Sequence, residues 1–93
     1  MAASRNYYRH GSCIHQLVKD GDKYYHFKLK PILQITSTSR CWDFVKRFDD
    51  WDDAIKTSFG IDPSCQNVLD NMSIDEDEVF SIVAQYKERN MKD

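Results

Sequence analysis

Three side chains that can bind metal ions occur near the start of the chain. Cys13 and His15 are two residues apart, and His26 lies on a second segment with a similar alternating pattern. Because alternate residues of a strand share one face, pairing of the two segments would bring these side chains to the same side. A structural zinc site needs four ligands, and only His10 or Cys41 could supply the fourth. Since this spacing matches no established ligand signature, we predict no bound metal and no cofactor, with Cys13, His15 and His26 as the residues to test.

The chain offers little else for catalysis. A thiol and a histidine can be paired on paper, but neither a strained nucleophile turn nor an oxyanion loop accompanies any cysteine. The three glycines stand apart at positions 11, 21 and 60, which excludes a glycine-rich phosphate loop. A chain of 93 residues also has little room for a concave active site. We therefore expect a protein that binds, and not an enzyme.

Length and composition indicate one small globular domain. Apolar residues make up 41% of the 93 positions and charged residues 30%, which is an ordinary balance for a folded protein. The three cysteines are odd in number and form no C-x-x-C pair, so reduced thiols in a reducing compartment are expected. No apolar run approaches the length of a secretory or membrane-spanning segment. We predict a cytoplasmic protein that does not bind membranes.

The charges are divided unevenly between the two parts of the chain. Residues 1–40 contain seven Lys and Arg against two acids, a net of +5, and all three histidines. Residues 41–93 contain six Lys and Arg against thirteen acids, a net of −7. Such asymmetry is typical of proteins with a charged partner, although the two parts can also neutralise each other within one fold. Pairing between copies would make a homodimer, which is a third and lesser alternative.

The acidic part supplies the leading functional hypothesis. Five aspartates occur within eleven residues, and they would crowd the solvent side of a predicted helix, where like charges repel. They are Asp43, Asp49, Asp50, Asp52 and Asp53. A face of this kind can dock onto a basic protein surface, or it can simply be solvated. We predict a small protein–protein interaction module or inhibitor, of the type that phages and mobile elements encode.

The basic part supplies the alternative, a small nucleic-acid-binding protein. Cations and tyrosines are interleaved there, and single strands bind surfaces that combine positive charge with stacking rings. The candidate residues are Tyr7, Tyr8, Arg9, Lys19, Tyr24, Lys28 and Lys30. No established nucleic-acid-binding motif accompanies them, and tyrosines of a hairpin often pack against neighbouring strands instead.

A β-hairpin is the clearest local element. Two alternating segments, 13–19 and 23–29, flank Asp20-Gly21-Asp22, with a two-residue loop at 20–21 or at 21–22. The face predicted to form the core carries Ile14, Val18, Tyr25, Phe27 and Leu29. The opposite face, which includes His15, Leu17 and His26, is predicted to meet solvent.

From Cys41 onward the apolar period becomes helical. Residues spaced by three and four form one stripe: Cys41, Phe44, Phe48, Trp51, Ile55 and Phe59. The stripe predicts a long helix over about 39–59, ended by Gly60. Its buried residues would include Phe48, Trp51 and Ile55. The alternative is a strand with Trp42, Phe44 and Phe48 on one face, followed by a helix starting at Asp49 or Asp50. The unbroken phase across the two aspartates favours the single helix.

Two shorter signals complete the predicted order of elements. Asp62 and Pro63 mark the start of a short helix. Ser73 and Glu76 form a capping box, which predicts a last helix from Ile74. The apolar stripe of that last helix consists of Val79, Ile82, Val83 and Tyr86.

The predicted fold class is α+β. An N-terminal hairpin, with 32–36 as a candidate third short strand, would pack on about three helices. Residues 1–12 are predicted to be a partly ordered arm and 13–93 a single domain.

Overall fold

The computed structural model of the chain describes residues 3–36 and 38–91. Within these residues the fold is α+β, as predicted, with one antiparallel sheet and three α-helices. The strands are β1 (Ser4–His10), β2 (Cys13–Asp20), β3 (Lys23–Leu29), β4 (Trp42–Phe48) and β5 (Ser73–Ile74). The helices are α1 (Trp51–Phe59), α2 (Gln66–Met72) and α3 (Glu76–Met91). The strand order across the sheet is β4-β3-β2-β1-β5.

Some of the predicted ranges extend beyond what the structure describes. Positions 1, 2, 37, 92 and 93, which belong to the predicted arm and domain, lie outside the described residues. Among the described residues, no helix is both long enough and apolar enough to cross a membrane. The three cysteine thiols, at positions 13, 41 and 65, form no disulfide.

The predicted hairpin forms the centre of the sheet. Asp20 pairs with Lys23, which leaves Gly21 and Asp22 as the two-residue loop, the second of the two predicted placements. Gly21 has φ of +66°, a left-handed conformation that glycine adopts without the steric cost of a Cβ atom. In this register His15 lies opposite Lys28 and Leu17 lies opposite His26.

The predicted arm and the predicted third strand are both corrected by the structure. Residues 4–10 form β1, which pairs along its whole length with β2, so most of the arm belongs to the sheet. Residues 32–34 form a 3-10 turn instead of a strand. Pro31 has no N–H to offer a neighbouring strand, and its carbonyl accepts a hydrogen bond from the Gln34 amide at 2.9 Å.

The prediction of one long helix over 39–59 is wrong. Residues 42–48 form β4, an edge strand that pairs with β3, and α1 begins only at Trp51, with Asp50 as its N-cap. The alternative prediction, a strand followed by a separate helix, is therefore closer to the structure. It differs in one respect, because Phe48 does not share a face with Phe44. A β-bulge between them adds one residue to β4, which reverses the side to which the following side chains point. Pairing with the free edge of β3 outweighs the helical spacing of the apolar residues.

The ends of the helices follow the predicted signals with small shifts. Gly60 ends α1 with φ of +66°, and its amide donates to the Lys56 carbonyl at 2.9 Å. The predicted helix start at Asp62 and Pro63 is instead a turn, and α2 begins at Gln66. The last helix begins at Glu76, two residues later than predicted, because 73–74 form β5.

Helices cover both sides of the sheet, which gives two cores. The side packed by α1 and α2, here called the α1 face, buries Tyr8, Leu17, Ile55, Phe59 and Leu69. The side packed by α3, here called the α3 face, buries Tyr7, Ile14, Leu29, Ile35 and Val79. The predicted stripe of the last helix is confirmed, since Ile82, Val83 and Tyr86 pack against this second core.

The predicted choice of core face for the hairpin is wrong in part. The two sets of side chains divide as expected, but His15, Leu17 and His26, predicted to meet solvent, are only 7%, 1% and 5% exposed. Val18 and Tyr25, predicted to be in the core, are half-buried. The reason is that α1 and α2 pack on the face of Leu17, while α3 covers only part of the opposite face.

Candidate functional site

A part of the α3 face carries aromatic side chains that no described helix covers. Phe44 on β4 is 57% exposed, and Val18, Tyr25 and Phe27 on the central hairpin are half-buried. The Phe44 ring lies 5.6 Å from that of Phe27 and 6.5 Å from that of Tyr25, measured between centroids. We call these four residues, together with the flanking Arg5 and Arg47, the open face.

Strand register explains why these six side chains lie together. Arg47 pairs with Tyr25, Tyr25 pairs with Val18, and Val18 pairs with Arg5, so one row crosses four strands with an arginine at each end. Directly paired residues point to the same side of a sheet. Phe44 and Phe27 pair in the next row toward α3. The bulge in β4 is needed for this arrangement, because it allows Phe44 and Arg47 to share a side despite their odd spacing.

The course of α3 explains why the open face is left uncovered. The helix begins beside β1, where the Tyr7 hydroxyl donates to the Glu76 carboxylate at 3.3 Å. It ends beside the 3-10 turn, where the Asn90 side-chain amide donates to the carbonyls of Ile32 and Ile35. The helix is thus tied at both ends to positions away from Phe44, and the far corner of the sheet stays accessible.

The electrostatic character of this corner is positive. In the described parts of β1 to β4, the side chains directed to the α3 face include three arginines, at positions 5, 9 and 47, and Lys23, against one acid, Asp20, which pairs with Lys23 beside the hairpin loop. A surface that combines cations with exposed aromatic rings can bind either an acidic protein surface or a nucleic-acid strand.

On the α1 face, His15 and His26 form a buried pair. The Nδ1 atom of His15 lies 2.8 Å from the Nε2 atom of His26, and the two rings stack with centroids 5.1 Å apart. The Ser58 hydroxyl on α1 lies 3.1 Å from Nδ1 of His26. Phe59 packs edge-on against both imidazoles, at 5.3 and 6.0 Å. A hydrogen bond between two imidazole nitrogens requires that one carries a proton and the other does not.

The surroundings of this pair keep it neutral. Burial lowers the pKa of His26 to about 4, and repulsion from His15 and Lys28 acts in the same direction. Burial also lowers the pKa of His15, with further repulsion from His10 and Lys28, while a hydrogen bond with the His10 backbone opposes the shift. Both rings are therefore uncharged at neutral pH.

The contact between His15 and His26 explains the position of these two candidate metal ligands without a metal ion. The facing nitrogens of His15 and His26 are occupied by each other. Among residues 3–36 and 38–91, no group of three or more His, Cys, Asp or Glu side chains is arranged to hold a metal ion. Cys13, the remaining member, is half-buried on β2.

The contacts among Ser58, His26 and His15 resemble the order of a nucleophile, a base and an orienting group. Ser58, however, lies within α1, where the surrounding backbone N–H groups are engaged in helical hydrogen bonds. Such N–H groups cannot stabilise an oxyanion at the hydroxyl. We interpret the three residues as a structural hydrogen-bonded chain.

The five aspartates of the leading hypothesis do not form one surface. Asp43 lies on β4, at least six residues before the other four, and its carboxylate is 3.7 Å from the Lys30 amine. Asp49 forms an ion pair with Lys23 at 2.8 Å, which lowers the pKa of Asp49. Asp50, Asp52 and Asp53 surround the N-terminus of α1, which the helix dipole favours.

Replacing Asp50 with alanine should lower the free energy of unfolding by about 1 kcal/mol. The Asp50 carboxylate accepts a hydrogen bond from the Asp53 amide at 3.1 Å, and the substitution leaves that amide without a partner. Urea denaturation followed by circular dichroism measures the change. Asp50→Asn is the control, because it keeps the cap and should cost clearly less. Equal stability of Asp50→Ala and the wild type would contradict the capping role.

The residues of the nucleic-acid alternative are divided by the fold. Tyr7 and Tyr8 are 4% and 7% exposed, and each belongs to one of the two cores, so neither ring is accessible for stacking. Tyr24 is half-buried against Trp51 at 5.6 Å, and Lys19 lies above its ring. The remaining three residues, Arg9, Lys28 and Lys30, line one groove at the other end of the sheet.

Comparison of the chain with protein-family models, curated proteins and solved structures finds no match. The sequence does not indicate the open face, because alternation places Val18, Tyr25 and Phe27 on the predicted core face and helical spacing places Phe44 in the predicted stripe. One signal in the sequence did concern both faces of the sheet. The hairpin carries apolar side chains on each of its two faces, which is typical of a sheet covered on two sides.

Proposed function

We propose that this protein is a non-enzymatic binding module that docks onto another protein through the open face. The observation that carries the proposal is the 57% exposure of Phe44 within a group of aromatic side chains on a rigid sheet. Burying a side chain of this size contributes about 1.5–3 kcal/mol relative to leaving it in water. Three aromatic rings side by side thus supply enough apolar surface for the centre of an interface.

The two flanking arginines indicate what kind of protein surface fits. Arg5 and Arg47 stand at opposite ends of the row that contains Tyr25 and Val18. Aromatic residues and arginine are enriched where proteins bind each other. A partner with apolar residues at its centre and carboxylates at its rim would complement this pattern. The three free thiols support a cytoplasmic setting for the interaction.

The proposed docking surface replaces the acidic one suggested by the charge pattern. Asp49 and Asp50 already serve an ion pair and a helix cap, and Asp53 accepts a hydrogen bond from Thr57 at 3.3 Å. Contacts within the protein therefore explain why these carboxylates are present, whereas no such contact explains the exposed aromatic side chains of the open face.

Single-stranded nucleic acid is the second candidate for the same surface. Exposed rings on an antiparallel sheet can stack on bases, and Arg5 and Arg47 would contact phosphates. Against it, the Phe44 ring is inclined at 66° to Phe27 and 50° to Tyr25, so the rings do not offer one flat platform. The protein partner is therefore preferred.

The test is affinity capture from the lysate of the native host, with and without nuclease, using wild-type protein and Phe44→Ser. Phe44 is on the surface, so this substitution should leave the fold intact. We expect a captured protein that survives nuclease treatment and is lost with Phe44→Ser. Phe80→Ser is the matched control. Phe80 has a similar exposure of 53%, but it lies on the helix α3 and does not belong to the open face.

Two other outcomes would contradict the proposal. Loss of the partner with Asp52→Lys, but not with Phe44→Ser, would return the interface to the acidic residues. Saturable binding of single-stranded oligonucleotides by fluorescence anisotropy, abolished by Phe44→Ser, would favour the nucleic-acid candidate.

A further inference from the structure

A groove separate from the open face lies where β2 begins and β3 ends. It has a volume of about 700 Å³, within the range of small-molecule sites. The buried side chains of Ile14 and Leu29 line it together with Tyr86 of α3 and Ile32 of the 3-10 turn. None of the residues of the open face lines this groove.

Three cations share the groove with these apolar residues. Arg9, Lys28 and Lys30 all line it, and Asp43 is the one acid among the described lining residues. The Lys30 amine is 3.7 Å from the Asp43 carboxylate, and its side chain is 23% exposed. That contact offsets the charge of Lys30. Lys28 pairs with His15 and Asp43, so its side chain points to the α1 side of the sheet, away from Ile14 and Leu29. Arg9 pairs with Ile14 and therefore shares a side with the apolar lining. An anion beside Arg9 would neutralise its charge.

We propose that the groove binds a small amphipathic anion, with a carboxylate or phosphate head and an apolar chain. The head would lie beside the Arg9 guanidinium, where charge-assisted hydrogen bonds are available. The chain would lie along Ile14, Leu29 and the Tyr86 ring. Charge complementarity selects an anion, and the adjoining apolar lining selects a head group with a tail over a bare inorganic ion.

Sodium decanoate and decyl phosphate, both kept as monomers, are suitable probes for an NMR titration of the full chain. We expect saturable shifts of backbone amides at the groove, near Ser12, Lys30 and Tyr86, with either probe. Decanol has the same tail without the charge, and it should bind at least about tenfold more weakly, because one charge-assisted contact contributes about that factor.

Matched variants separate this site from general adsorption. Arg9→Gln should weaken decanoate binding about tenfold. Lys56→Gln removes an exposed lysine on α1, outside the groove, and should leave the affinity unchanged. Phe44→Ser should also bind decanoate normally, whether or not the open face docks a protein.

Several results would overturn the proposal. Equal affinity for decanol and decanoate would show that the cations do not contribute. Shifts that map to Phe27 and Phe44 would place the probe on the open face instead. Co-sedimentation with anionic phosphatidylglycerol vesicles, without saturable binding of monomeric decanoate, would indicate attraction to a charged membrane surface and no groove for the single anion.

Discussion

Replacing Phe59 with alanine should lower the free energy of unfolding by about 3–5 kcal/mol, a large part of what holds a small domain together. Phe59 is 5% exposed and its ring contacts the rings of Tyr8, His10, His15 and His26 at 5.3 to 6.0 Å. The substitution removes the contacts that join α1 to three strands and leaves a cavity beside two imidazoles. The loss is measured by urea denaturation with circular dichroism and Trp fluorescence.

Phe80→Ala is the control for this effect. It removes the same side chain from a helix, but Phe80 is 53% exposed, so the cost should be about 1 kcal/mol or less. Similar losses for the two variants would contradict the packing of α1 on the sheet.

Acidification should destabilise the protein at pH values where carboxylates are still ionised. The folded state lowers the pKa of His26 to about 4, whereas the unfolded chain takes up the proton near pH 6.5. Below about pH 6.5 the unfolded state therefore binds more protons, and stability falls as pH falls, until the folded protein is protonated as well. From about pH 7 to pH 5, His26 alone should reduce the free energy of unfolding by about 2 kcal/mol. The pKa of His15 is shifted in the same direction and adds to the loss.

The measurement is urea denaturation at these two pH values for wild type and His26→Gln. The variant cannot take up that proton, so its stability should depend less on pH. His10→Gln is the control, because His10 is exposed and its removal should preserve most of the dependence. Titration of His26 near pH 6.5 in the folded protein, followed by NMR, would contradict the neutral buried pair.

The two predictions concern one cluster, and they also bear on function. The α1 face places its polar groups in internal contacts: His15 with His26, and His26 with Ser58. The α3 face has the opposite character at its far corner, where no element among the described residues covers Phe44 and Arg47. We therefore expect substitutions on the first face to change stability and substitutions on the second to change binding.

Local signals in the sequence were sufficient for several elements. Gly21 between two alternating segments predicts the hairpin, because a tight turn needs a residue that tolerates positive φ. Gly60 predicts the end of α1 for the same reason. Val79, Ile82 and Val83 predict the buried stripe of α3, since their spacing of three and one matches only a helix. Each of these signals depends on residues close together in the chain.

The remaining features depend on contacts between distant residues. The apolar residues from Cys41 to Phe48 fit either a helix or a strand. They form a strand because their backbone pairs with the free edge of β3. The burial of His15 and His26 depends on Phe59 and Ser58, which are more than thirty positions away from His26. The exposure of Phe44 depends on the position of α3, which is set by the hydrogen bonds of Glu76 and Asn90 at its two ends. Alternation along a strand determines which side chains share a face, but only the packing of other elements determines which face meets water.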